Sequence, residues 1–218
     1  MTSCLILVPT AIELQHLPVH FVQVIERKGA AIELCGFGPV VAAARTASLI
    51  ASHRPSRVVL CGVAGAISDS LEVASAYRFD AVACYGIGVG DGRAFRLAST
   101  MGWRQWPGDG DGQALSSPIE DVIKLRQPDE LGESKLLLTS CAASQNKLEV
   151  ALKCESFPKA LAEDMEGFAV AAACQLAGVP LSIVRGISNC AGDRDHSRWK
   201  IAEAMIAAVR LVEEMDEI

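Results

Sequence analysis

The run L-S-I-V-R-G-I-S, Leu181 to Ser188, is apolar and β-branched along nearly its whole length. A segment of this kind reads as a strand covered on both faces, the situation of a sheet held between helical layers. The residues before it fit that setting. From Phe168 the chain carries Ala169, Ala171, Ala172, Ala173 and Ala177, small side chains that let a helix approach its neighbours closely. Gly178 supplies the left-handed turn that ends such a helix, and Pro180 cannot continue it. The strand then ends on Ser188 and Asn189, polar residues at the edge of a sheet, where ligands of α/β proteins bind.

The same alternation recurs along the chain. Residues 4 to 9, 57 to 67, Tyr77 to Tyr85 and K-L-L-L-T-S at 135 to 140 read as further strands. P-V-V-A-A-A-R-T-A-S-L-I-A-S, ending at His53, reads as a helix with Pro39 in its first turn, and K-L-E-V-A-L-K as a short one. H-F-V-Q-V-I-E and A-A-I-E-L-C-G alternate around K-G and suggest a hairpin. In the closing segment, Trp199, Ala202, Met205, Ile206, Val209 and Val212 recur at helical spacing and predict a packing helix. The expected architecture is a single α/β domain over residues 1–218. It is a three-layer α/β/α sandwich around a mostly parallel, partly mixed sheet. A stretch around 90–134, rich in Gly, Asp and Pro, lacks periodicity and reads as an irregular insertion, of the kind used for lids or partner contacts.

Charge and cysteine usage exclude several classes. Lys and Arg number 20 against 26 Asp and Glu, a net charge of −6, which offers no basic footprint for nucleic acid. The apolar run near the N-terminus is too short for a signal sequence or a membrane span. Eight cysteines stand singly, without a C-x-x-C pair or metal-ligand spacing, as in reduced cytoplasmic proteins. Neither a metal nor a cofactor is expected, and neither a nucleic acid nor a membrane partner.

Individual residues carry two readings each. Thr10 followed by Glu13 is a capping box, so Glu13 can be a helix cap or a group at the mouth of strand one. Gly36 and Gly38 around Phe37 feed a helix start, either a tight turn or an anion cradle. Ala64 and Gly65 end the strand at 57 to 67, and their small side chains would let a ligand reach the backbone. Glu163, Asp164 and Glu166 precede the small-residue helix and could serve as charges complementing its dipole.

Taken in order, L-I-L-V-P-T-A-I-E-L, C-G-F-G-P-V-V-A-A-A, V-V-L-C-G-V-A-G-A-I and E-D-M-E-G-F-A-V-A followed by V-R-G-I-S-N resemble the superfamily of purine nucleoside phosphorylases and nucleosidases. The nearest likeness is to its futalosine hydrolase family, related to the methylthioadenosine/S-adenosylhomocysteine nucleosidases. The resemblance covers most of the chain outside roughly 90–134. It implies a soluble homo-oligomer, with a dimer favoured, that acts on a small purine nucleoside: water cleaves futalosine to hypoxanthine and dehypoxanthine futalosine in menaquinone biosynthesis.

On that resemblance Glu13 activates the water and Glu166 accepts hydrogen bonds from ribose hydroxyls, with Met165 packed on the sugar. Asn189, next to Ser188, faces the purine. Adenine-specific relatives carry an aspartate where this chain has Asn189. An asparagine amide offers two donors and no proton, which suits the N7 and 6-oxo acceptors of hypoxanthine or guanine; the plainer reading is a strand-end cap. Phosphorylases of the superfamily place an arginine and a serine around the turn where this chain has Leu60 and Val63, and another arginine after strand one, absent from P-T-A-I-E-L-Q-H. A phosphate dianion would be poorly held, so water is the expected nucleophile. An adenine-type nucleosidase and a non-catalytic nucleoside-binding protein are the alternatives.

Overall fold

The computed structural model describes residues 3–108, 117–125 and 134–215. In chain order the elements are β1 (Leu5–Val8), α1 (Ala11–Leu14), α2 (Val19–Arg27), β2 (Ala31–Leu34), α3 (Pro39–His53), β3 (Val58–Ala66), β4 (Ala76–Phe79) and β5 (Ala81–Tyr85). There follow a short pair, β6 (Gly88–Val89) with β7 (Arg96–Leu97), then β8 (Val122–Lys124), β9 (Leu136–Ser140), α4 (Lys147–Ser156), β10 (Ala160–Asp164), α5 (Gly167–Leu176), β11 (Leu181–Cys190) and α6 (Ile201–Glu214).

One mixed sheet organises these elements. Its main path runs β2-β1-β3-β10-β9-β5-β8. Val58 of β3 pairs with Leu5 of β1 and also with Leu181 of β11, so β1 and β11 lie on opposite edges of β3. β4 extends the sheet beyond β11 in antiparallel sense. Strand residues alternate between two cores, as burial on both faces requires. Leu5, Leu7, Val58 and Leu60 pack with Leu49 and Ile50 of α3 and Val170 and Cys174 of α5. Ile6, Val8, Val59 and Cys61 pack with Phe21 and Ile25 of α2 and Met205, Val209 and Val212 of α6. The expected three-layer sandwich is therefore present. Pro39 opens α3, and Gly178, with φ +65°, follows α5. Among the described residues no helix is long and apolar enough to cross a membrane.

Four local expectations need correction. The segment expected as the first arm of a hairpin is helix α2, whose Phe21 and Ile25 fall one turn apart and point into the core. Its partner arm, β2, lies parallel to β1, and parallel neighbours need a crossover rather than a tight turn. Tyr77 to Tyr85 is two strands, not one. It breaks at buried Asp80, whose carboxylate accepts from Lys135 N at 2.8 Å, so that β4 joins β11 while β5 joins β9. Glu163 and Asp164 end strand β10, and of the two only Asp164 serves the start of α5 as expected, accepting from Gly167 N, while Glu163 turns to Ser144 and Lys153. Trp199 precedes α6 instead of lying on its packing face. Within the expected irregular insertion, β8 returns to the sheet as an edge strand beside β5. Positions 109–116 and 126–133 of that insertion lie outside the described residues.

Candidate active site

The ends of β1, β3 and β11 meet β10, which runs antiparallel to β3 with Ala162 opposite Ala66 and Glu163 opposite Gly65. At this crossing opens a cavity of about 510 Å³, within the range used for small-molecule sites. All seven residues singled out in the sequence line it: Glu13, Ala64, Gly65, Met165, Glu166, Ser188 and Asn189.

Glu13 satisfies both of its readings. Thr10 caps α1 by accepting from Glu13 N at 3.2 Å, while its hydroxyl donates to Glu13 Oε2 at 2.6 Å. Val63 N–H donates to Glu13 Oε1 at 2.9 Å. The carboxylate is thus turned inward and held at both oxygens. Burial pushes its pKa up, and the charge of Arg185 with these hydrogen bonds opposes the rise.

Arg185 is the residue the sequence reading passed over. It is fully buried in β11, with Nε and Nη2 donating to Asp164 Oδ2 at 3.1 and 2.5 Å and Nη2 reaching Glu166 Oε2 at 3.4 Å. Its Nη1 has no hydrogen-bond partner among the described residues. Gly62 in β3 makes room for it, since a Cβ there would run into Nη1 and come within 2.7 Å of Glu13 Oε1. Burial works against the charge of Arg185, but Asp164, Glu166 and Glu13 more than restore it and raise its pKa. A charged residue inside an apolar strand run was the available signal, because a buried charge requires partners.

Glu166 takes its second contact from the glycine turn: Gly38 N donates to its Oε1 at 3.0 Å. The G-F-G-P turn therefore does hold an anion, a carboxylate of the same chain. Burial pushes the Glu166 carboxyl up to about 7, the Arg185 charge pulls it down, and neighbouring Asp164 raises it further. Asp164 also accepts from Thr139 Oγ1 at 2.6 Å and from Gly167 N at 2.9 Å, and Thr139 accepts from Phe168 N at 2.8 Å. These two side chains cap α5 and fix Met165 and Glu166 at the cavity edge. Glu163 accepts from Ser144 N and Oγ at 2.9 and 2.6 Å and pairs with buried Lys153 at 3.2 Å.

The opposite end of the cavity belongs to the turn after β11. Asn189 Nδ2 donates to Cys190 O at 2.8 Å and to Asp193 O at 3.4 Å, and its Oδ1 accepts from Ser188 Oγ at 2.8 Å. Arg194 and Trp199 line this end, the guanidinium lying 4.8 Å from the indole centroid. Helical spacing placed Trp199 on a packing face that it does not occupy, while G-D-R-D with Trp199 entered the sequence reading only through its likeness to futalosine hydrolase.

Three carboxylates around one arginine leave an excess of negative charge at one end, suited to a substrate that becomes cationic as it reacts. The other end offers amide and guanidinium donors. A bond that breaks to leave a cation on one fragment and an electron pair on the other fits this division.

Comparisons with known proteins agree with that geometry. The family model described as Phosphorylase superfamily matches residues 139–217. Futalosine hydrolase of Streptomyces coelicolor is 30% identical over 177 residues, spanning 79% of this chain and 72% of that protein. A methylthioadenosine/S-adenosylhomocysteine nucleosidase of Staphylococcus aureus is 27% identical over 194 residues, 87% of this chain and 82% of its own. Among solved structures, futalosine hydrolase of Helicobacter pylori superposes with a TM-score of 0.74 at 16% identity, covering 100% of this chain and 98% of that one, which bears on the fold. The chain belongs to the phosphorylase superfamily, in the nucleosidase family that contains futalosine hydrolase and methylthioadenosine/S-adenosylhomocysteine nucleosidase.

Proposed function

We propose that the protein is an N-ribosyl hydrolase that cleaves futalosine to hypoxanthine and dehypoxanthine futalosine. The observation that carries the reading is the Glu13 carboxylate, fixed by Thr10 and Val63 N–H, beside the unpartnered Nη1 of a fully buried arginine. A water between these groups would lose its proton to Glu13 and be held by Arg185 as it attacks the anomeric carbon. Glu166 would accept from the ribose hydroxyls, bonds that strengthen as the ring flattens toward an oxocarbenium ion, with Met165 against the sugar.

Base choice rests on Asn189. Its 2.8 Å bond to Cys190 O is the firmer of its two donations; the 3.4 Å contact with Asp193 O is the one a purine acceptor would replace. A 6-oxopurine offers such an acceptor, whereas a 6-amino group presents a donor to a donor. Likeness to the Streptomyces coelicolor futalosine hydrolase supports the same substrate.

The test is release of free base from futalosine, inosine and methylthioadenosine at equal concentration. Hypoxanthine from futalosine should appear fastest, by about two orders of magnitude or more over adenine from methylthioadenosine, the scale on which unmatched donors discriminate. Faster adenine release would overturn the futalosine reading in favour of the adenine-type nucleosidase.

A further inference from the structure

We propose that Arg194 is the residue that stabilises the departing purine and, together with Asn189, sets the preference for a 6-oxopurine; this rests on the futalosine reading above. The amide of Asn189 has no acid proton to give, and one of its hydrogens stays with Cys190 O, so it can answer only one of the two acceptors N7 and O6. A second donor is required. Arg194 lines the same cavity, and its Nε is buried without a hydrogen-bond partner among the described residues. A buried N–H left unmatched by the protein marks a place for a ligand acceptor.

The side chain is held by two contacts, on a turn that is itself closely packed. Its Nη1 donates to Ser144 O at 3.4 Å and its guanidinium stacks on Trp199, whose indole N–H is anchored on Asp193 O at 3.1 Å. Gly192, with φ +80°, presses the turn so closely on Asn146 that a Cβ would lie 2.7 Å from its carbonyl carbon. Arg194 is thus fixed before any substrate arrives, as a group meant to meet charge developing in a transition state must be. Its charge also has the right sign. The C1′–N9 bond breaks with its electron pair passing to the purine, while water bonds to C1′ and loses a proton to Glu13. The guanidinium N–H meets the resulting negative charge at N7 and O6. The proton on Glu13 returns through solvent to the released base, which completes hydrolysis. A 6-amino group would point a hydrogen at Arg194, so the same contact penalises adenine.

The experiment compares futalosine with its N7-methyl derivative, from which the base departs already neutral. Arg194→Gln should lose ~10²-fold or more in kcat on futalosine, the usual effect of removing one transition-state donor, but less than ~3-fold on the N7-methyl substrate. Arg194→Lys, which keeps the charge and loses the Nε–H, should fall between the two proteins on futalosine and equal wild type on the N7-methyl substrate. Should Arg194→Gln fail to fold, the lysine variant alone reads the same split. Equal losses on both substrates would make Arg194 a structural residue and overturn the proposal. Wild type that releases no hypoxanthine from futalosine at all would instead defeat the reading on which the proposal rests.

Discussion

At one end of the cavity Glu13, Asp164, Glu166 and Arg185 are almost wholly enclosed by strand ends and joined by direct contacts between charged groups. At the other, Asn189 near the buried end of β11 and the partly exposed Arg194 and Trp199 beyond it are tied mainly to backbone carbonyls. The first end is rigid because removing any member strands a buried charge. The second is fixed by shape, through Gly192 and the indole stack, with a donor to spare. On the proposed reading, water activation and sugar recognition need charges of set ionisation, which burial and ion pairing would supply. Base recognition needs donors in set positions, which a braced turn supplies at lower energetic stakes.

The contrast breaks most visibly at Glu13. Glu13→Gln should retain nucleoside binding in calorimetry while turnover drops about two to four orders of magnitude, the range of a general base. Near wild-type kcat would reduce Glu13 to a helix cap.

Arg185→Met tests the enclosure itself. With the guanidinium gone, Asp164 and Glu166 keep buried charge without compensation, and chemical denaturation should show a loss of about 3–5 kcal/mol. Stability within ~1 kcal/mol of wild type, the scale of an exposed pair, would show that the carboxylates reach solvent or protonate at no cost. Gly62→Ala strikes the same cluster from the neighbouring strand. A Cβ meeting Arg185 Nη1 and Glu13 Oε1 should cost about 1–3 kcal/mol and lower activity.

How far these residues were legible depends on the same division. Glu13, Glu166 and Asn189 were singled out through the family resemblance of the motifs that carry them, and the fold brings all three to one cavity. Arg185 was overlooked because its partners are distant in sequence, Asp164 across 21 positions and Glu166 across 19. Hydrophobic periodicity is silent on Arg194, since a polar residue in a turn is ordinarily solvated, and only the likeness of G-D-R-D with Trp199 to futalosine hydrolase pointed to it. Trp199 was absorbed into a helical period that begins only at Ile201. The α2 segment failed for a related reason: its short apolar pattern satisfies both periods, and the parallel pairing of β1 with β2 decided between them.

The pH profile sharpens the comparison with a smaller effect. Burial lifts the Glu166 carboxyl to about 7, and it must be ionised to accept from ribose hydroxyls. As pH falls through that value the carboxylate gains a proton, so kcat/KM should fall about tenfold per pH unit on the acid side. Glu166→Gln should lower the plateau and remove this limb near 7, leaving any limb that belongs to Glu13. A limb unchanged in the variant would assign it elsewhere. The turn end should respond least: Asn189→Asp should slow hypoxanthine release and admit some adenine nucleoside, read as a shift in the ratio of their kcat/KM values.

The central claim is that water, held at Glu13 beside Arg185, is the nucleophile. It is tested most directly by identifying the sugar product of futalosine cleavage in saturating phosphate. A free reducing sugar, formed at the same rate with and without phosphate, is the predicted result; a sugar 1-phosphate, or a rate that rises with phosphate concentration, would contradict it.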